Sequence, residues 1–279
     1  MATIKDHPLR YTLNSELHAR PFPSLTVPHK PPHVGAYLAI RQPGDAASRD
    51  RSQDLDHLCA LLKHYGAPLP ADNATHYYGP MGKYALKWEQ HTEFVTYTVF
   101  LDQAGTRPFD PAEFDVFPES WRSNLNAERI TSILLRLVKR PEQDTEISDA
   151  LSDWFVPESL AVASVLDEAA VVASDFRIDS SGHMRMAIFA SEGTGSRRLG
   201  RIVQRLCEIE TYKSMSMLGF AQVRDFGGQL NALDSKLTDL MATMRETGAM
   251  AEDTLHKLLD VSVQLETLSA EVSYRLGAT

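Results

Sequence analysis

The sequence predicts an α+β protein: a strand-rich globular domain over residues 1–190 with a proline-rich N-terminal arm, then a long helical, coiled-coil-like extension over 191–279. Three observations predict it. Apolar and polar residues alternate with period two in several stretches between 33 and 190. Beyond Gly193 the apolar period changes to about 3.5. No proline follows Pro157, so nothing in the second part forces a helix to stop.

The elements follow in order. Residues 1–33 contain Pro8, Pro21, Pro23, Pro28, Pro31 and Pro32; each fixes its own φ and pushes its neighbour toward extended geometry, so this is an irregular arm. "HVGAYLAIR" (33–41) is a buried strand. In "RDRSQDLDHLCALLKHYG" the residues Leu55, Leu58, Cys59, Leu61 and Leu62 keep helical spacing, and Gly66 supplies the stop. "KYALKWEQHTEFVTYTVFLD" gives two strands joined by a turn near His91–Thr92. "RITSILLRLVKR" (129–140) fits strand or helix, and its β-branched residues favour strand. "DTEISDALSDWF" (144–155) is a short helix capped by Asp144 or Thr145. "SLAVASVLD" and "AAVVASDFRID" are strands, "DSSG" (179–182) is a turn, and "HMRMAIFA" is the return strand.

In the second part Leu199, Ile202, Val203, Leu206 and Ile209 form one apolar stripe. Leu230, Leu233, Leu237, Leu240 and Met244 then step by three and four, and the same phase resumes through Leu258, Val261, Leu265, Leu268 and Val272. The seam is weak around Gly248, where glycine costs about 1 kcal/mol relative to alanine. The preserved phase favours one long helix, with an antiparallel hairpin as the alternative. Either way the seam needs a partner surface, and a homo-oligomer through 230–272 is expected.

Composition narrows the functional classes. Apolar residues make up 43% and charged residues 23%, with a net charge of −9. That balance excludes a general nucleic-acid binder, which needs a basic excess to displace counterions. Cys59 and Cys207 lie in helical apolar stripes and read as buried free thiols, with no disulfide framework implied. The N-terminus has no signal-peptide core, and no run of 18 uncharged apolar residues occurs, so the cytoplasm is the expected location.

Three clusters carry the chemistry that is present. In "NSELHARPFP" (14–23), Glu16, His18 and Arg20 alternate and would share one face of an extended arm. They form either a salt-bridged clasp or an acid–base and anion-binding group. In "WEQHTEF", Glu89, His91 and Glu93 would share a face if the strand ran straight through; a turn would scatter them. In "FASEGTGSRRLGRIVQRL", Gly193 and Gly195 lead from a strand into a helix whose start carries Arg197, Arg198 and Arg201. Helix N-termini attract anions, yet a glycine hinge with solvated arginines explains the same residues. No Walker loop, Gly-x-Ser-x-Gly elbow, HExxH or paired-Cys spacing occurs. Neither a metal nor a cofactor is expected.

"HPLRYTLNSELHARPFP" (7–23), "KWEQHTEFVTYTVF" (87–100), "DFRID" (175–179) and "GRIVQRLCEIETYKSMSMLGF" (200–220) resemble the signature blocks of the DUF3422 family, uncharacterised bacterial proteins described as membrane-anchored. The resemblance spans almost the whole chain. It implies work at the cytoplasmic face of the inner membrane and carries over no catalytic residue. It also implies a hydrophobic C-terminal segment, which this chain does not contain, so a soluble piece or a short member is expected. The leading functional expectation is a non-enzymatic oligomeric scaffold. The alternative is a small-anion binder or hydrolase combining Glu16, His18 and Arg20 with His91 and Arg201.

Overall fold

The computed structural model describes residues 33–43, 49–101, 107–247 and 251–276. The chain divides into two compact units, Met1–Tyr212 and Lys213–Thr279.

The first unit is built on eight strands: β1 (His33–Arg41), β2 (His76–Met81), β3 (Tyr84–Gln90), β4 (Val95–Leu101), β5 (Glu128–Lys139), β6 (Ala161–Val165), β7 (Ala170–Ser174) and β8 (Met184–Ala190). They form one sheet in the order β2-β3-β4-β1-β5-β8-β7-β6. Neighbours are antiparallel except β5 and β8, which run parallel. The period-two segments thus become strands as expected. Strand β2 departs from the sequence reading: Gly79 and Pro80 disguise it, and proline is tolerated because β2 is an edge.

Both faces of the sheet are covered, which is why β1 reads as a continuous apolar run rather than an alternating one. One face carries α1 (Arg51–His64), a 3-10 helix (Pro111–Val116), α2 (Glu119–Arg122) and α3 (Asp144–Trp154). Helix α1 buries Asp54, His57, Leu58, Leu61 and Leu62, one stripe at helical spacing, and Asp50 caps it by accepting from the Ser52 N–H at 3.0 Å. These side chains meet Leu86, Trp88, Tyr97, Phe117, Trp121 and Leu134. At α3 the cap is Gln143, with no side-chain hydrogen bond, in place of Asp144 or Thr145.

The opposite face takes the start of α4 (Ser196–Thr247): Leu199, Ile202, Val203 and Cys207 pack on Tyr37, Ile133, Leu135, Met186 and Ile188. The sheet therefore takes most of the first apolar stripe of the helical region, Leu199 to Leu206, and leaves its last member, Ile209, exposed.

This corrects the expected fold class. In place of a coiled-coil-like extension over 191–279 the structure has a large mixed eight-stranded sheet with helices. The separate helical part is confined to 213–279 and is interrupted between α4 and α5 (Ala251–Leu276). Lys236 on α4 donates to the Gln264 side chain on α5 at 3.2 Å. Those residues lie nearly the same distance either side of the break, as an antiparallel hairpin requires. Leu233, Leu240, Thr254 and Leu268 are buried. A heptad phase preserved across a break satisfies a hairpin as well as a long helix, so the phase did not discriminate.

Candidate functional site

The period-two pattern of β3 puts Leu86 and Trp88 into one core and turns Lys87 and Glu89 to the other face. There α4 covers them, and both are buried. Lys87 Nζ donates to Glu89 Oε2 at 2.5 Å. A cleft of about 20 Å3 opens here between the sheet and α4, enough for about one water. The sheet contributes Tyr37, Lys87, Glu89, Thr96 and Thr98, and the helix contributes Gln204, Cys207, Glu208, Thr211 and Tyr212. His91 and Phe94 close one end, stacked with ring centroids 4.4 Å apart.

Two sequence blocks thus meet in space, 87–100 and 200–212. The helix is clasped to the sheet by polar contacts. Thr211 donates its hydroxyl to the Cys207 carbonyl at 2.9 Å, so the 2.6 Å contact with Tyr37 is a bond donated by the phenol. Burial pushes the Tyr37 hydroxyl well above its ordinary pKa. Burial likewise drives the Cys207 thiol far up, against the pull of Lys87, so this sulfur is no thiolate nucleophile. Both cysteines are free, as expected, with Cys207 buried and Cys59 partly so.

The turn that places His91 is tied by Arg49, whose guanidinium donates to the His91 carbonyl at 3.0 Å and the Thr92 carbonyl at 3.1 Å. Arg49 also pairs with the buried Asp54. Gln42 and Gln90 donate to the same carboxylate at 2.9 and 3.1 Å. No local pattern marks this hub, because an aspartate in the first turn of a helix reads as a dipole partner.

A second polar group lies on the α1/α3 side of the sheet. Arg136 is buried beneath the Trp154 ring, 5.4 Å from its centroid. Both carboxylate oxygens of Glu113 are buried without a hydrogen-bond partner, as are Nε and Nη1 of Arg136. Burial pushes the Glu113 carboxyl up to about 7, opposed by the Arg136 charge. Nearby, Ser132 donates to the Gly182 carbonyl at 3.1 Å and accepts from His183 Nδ1 at 2.9 Å. Asp175 pairs with Arg185 at 2.7 Å and accepts from the Val156 N–H.

The structure sorts the residues singled out from sequence. Glu89 and His91 line the cleft; Glu93, past the turn, does not. Gly195 caps α4 through its carbonyl, which accepts from Leu199 N–H at 3.1 Å. Arg197, Arg198 and Arg201 are exposed along the first turns of α4 and do not line the cleft. Glu16, His18 and Arg20 lie outside the described residues. Among the described residues no three His, Cys, Asp or Glu side chains are grouped to hold a metal, and no helix is long and apolar enough to cross a membrane.

The hairpin of the second unit has two unlike faces. On one, a groove is lined by Gln229, Lys236, Gln264 and Thr267 together with Ala232, Leu233, Val263 and Leu268. On α4, Leu230, Leu237 and Met241 lie roughly 40–80° round the helix from the buried Leu233. On α5, Leu258 and Leu265 are offset in the same rotational sense by roughly 40–60° from the Thr254–Val261–Leu268 line and Leu255 by roughly 120°, while Leu259, at roughly 160°, stands at the back of the helix. Because the helices run antiparallel, offsets of the same sense fall on the same side of the hairpin. Leu230, Met241, Leu255, Leu258, Leu259 and Leu265 are all exposed.

A family model, DUF3422, a protein of unknown function, matches residues 5–279, nearly the whole chain. No protein of curated function and no solved structure matches it.

Proposed function

The chain belongs to the DUF3422 family, and we propose that it is a non-enzymatic scaffold that self-associates through the apolar face of its helical hairpin. The observation that carries this reading is that face: five large apolar side chains, Leu230, Met241, Leu255, Leu258 and Leu265, each at least 39% exposed, on one side of two packed helices. They present on the order of 500 Å2 of apolar surface, near the upper end of what a monomer carries. With a polar rim added, this approaches the roughly 800 Å2 per partner of a standard interface. A second copy laid face to face gives a four-helix bundle, the ordinary way of burying such a surface.

Charge separates this occupant from an anionic lipid surface. Helices that lie on membranes carry Lys and Arg along the flanks of the apolar face. Here Asp234 and Glu266 flank it, at helical offsets of roughly 100–140° from the buried line, while Lys236 stands on the groove side. The cleft supports the same reading by its size and internal pairing: it clasps α4 to the sheet. The cytoplasmic face of the inner membrane is the working location that the family resemblance implies.

The test is substitution on the face. Leu258→Glu with Leu265→Glu should convert the protein to a monomer by light scattering while leaving its circular dichroism unchanged. A wild-type protein that is monomeric at 100 μM, or a variant that associates as before, overturns the proposal.

A further inference from the structure

We propose that Arg136 and Glu113 form an internal site for a singly charged oxyanion, a small carboxylate such as formate or acetate, held against the ring of Trp154. By alternation along β5, Arg136 shares the face of Leu134, which packs in the core with the residues of α1 and α3. It is only 7% exposed, and its guanidinium lies 5.4 Å from the Trp154 ring centroid. Among the described residues its Nε and Nη1 have no hydrogen-bond partner. A guanidinium does not give up its proton. Burial therefore leaves a permanent charge with unmet donors, a state that proteins relieve by pairing or by binding a ligand.

The same face of the sheet shows what pairing looks like. Arg185, on the neighbouring strand β8, lies over the Phe155 ring and donates to Asp175 and to the Trp154 carbonyl, each at 2.7 Å. Arg136 has a carboxyl within electrostatic reach, that of Glu113, but the two do not hydrogen-bond, and both Glu113 oxygens are buried and unmet. Opposite groups that act on each other from beyond bonding distance are the ordinary setting for a bridging third group. The other charges nearby are committed elsewhere. Asp110 caps the 3-10 helix, Asp175 is taken by Arg185, Arg122 and His183 lie against Phe114, and the acids of α3 are exposed.

Charge decides what the third group is. Burial holds the Glu113 carboxyl near 7 in spite of Arg136, so below neutral pH it is uncharged and Arg136 is a single uncompensated positive charge. One negative charge balances it, and two overshoot. Protonated Glu113 then offers an O–H, and an oxyanion accepts from it and from the guanidinium in charge-assisted bonds. Trp154, stacked on Phe189 and edged by Phe109, supplies an apolar wall. That wall suits the carbon end of a carboxylate better than a hydrated chloride. The site lies close to the surface: Glu113 is half-buried on a six-residue 3-10 helix whose Ala112 is exposed. It belongs to the first unit and stands whether or not the hairpin face associates.

The test is titration of the full chain with sodium formate and with sodium acetate, against sodium chloride at matched ionic strength, at pH 6 and pH 8.5. Tryptophan fluorescence and the unfolding midpoint follow binding. Both carboxylates should saturate at roughly millimolar concentration, near the limit for ligands of about three or four non-hydrogen atoms, and chloride should not. Because the bound anion needs protonated Glu113, affinity should fall at least tenfold from pH 6 to pH 8.5. Glu113→Gln keeps an N–H donor but cannot titrate, and it should bind equally at both pH values. Arg136→Met should lose binding at both. No saturation by either carboxylate would mean that water meets these groups and would overturn the inference. So would equal saturation by chloride, which reads charge alone, or a wild-type affinity that ignores pH. If Arg136→Met fails to fold, the comparison of wild type with Glu113→Gln still decides.

Discussion

Replacing Lys87 by Met tests what the cleft is for. Lys87 is 5% exposed and Glu89 8%, and they pair at 2.5 Å beneath α4. Methionine keeps most of the side-chain volume, so the main loss is electrostatic: Glu89 becomes a buried carboxylate without its ammonium. Removing one member of such a pair costs about 3–5 kcal/mol. In a unit of this size that is a fall in Tm of roughly 6–20 °C. Converting the pair together, Lys87→Met with Glu89→Leu, takes both charges out of the low-dielectric site and should return stability to within about 2 kcal/mol of the wild type. The assay is urea unfolding followed by tryptophan fluorescence, since Trp88 lies between the two residues in sequence and is fully buried on the other face. If Lys87→Met costs under 1 kcal/mol, or the double variant is no better than the single, the pair is not the buried clasp described above.

Further expectations rest on single side chains. His57 accepts at Nδ1 from the Tyr97 hydroxyl, donates from Nε2 to the Trp121 carbonyl, and stacks on Trp121 at 3.9 Å; burial lowers its pKa to about 4. The unfolded ring takes its proton near 6.5, so its contribution is whole above that pH and is lost as pH falls toward 4. The loss is on the order of 3 kcal/mol, and His57→Asn should flatten that part of a pH–stability curve. Glu113 has the opposite sign. Its folded pKa is raised to about 7 by burial, so the penalty is full above pH 7 and relieved as pH falls toward 4.5. Glu113→Gln should stabilise by on the order of 1 kcal/mol at pH 8, allowing for solvent screening of a half-buried group, and by nothing near pH 4. Asp54→Ala strips Arg49, Gln42 and Gln90 of their shared acceptor and should cost about 3–5 kcal/mol in denaturant unfolding.

Much of this architecture was legible because its period is. Strands β3, β4, β5 and β8 and helices α1 and α3 carry repeats of two or 3.6 over enough residues to stand out, and β1 stands out as an unbroken apolar run. Strand β2 escaped because Gly79 and Pro80 are turn residues everywhere except at an edge. The long helix was misjudged for a different reason: the spacing of Leu199, Ile202 and Val203 says that they are buried together, and it is silent on whether a sheet or another helix buries them. The candidate site was half visible. Glu89 and His91 were picked out by residue type and do line the cleft. Lys87 was not singled out, because alternation along β3 cannot report that α4 lies over its polar side. Tyr37 and Thr211 are 174 residues apart, a pairing no local pattern encodes. The arginines at the start of α4 were grouped as charge near a helix N-terminus and do not line the cleft.

The central claim is that the hairpin face is covered by a second copy of the chain. Sedimentation equilibrium of residues 1–279 across micromolar concentrations, at low and at physiological salt, measures this most directly. The account predicts a mass of twice 31.1 kDa, with association that tightens as salt screens the acidic rim of the face. A mass of one chain at every concentration and both salt levels would contradict it.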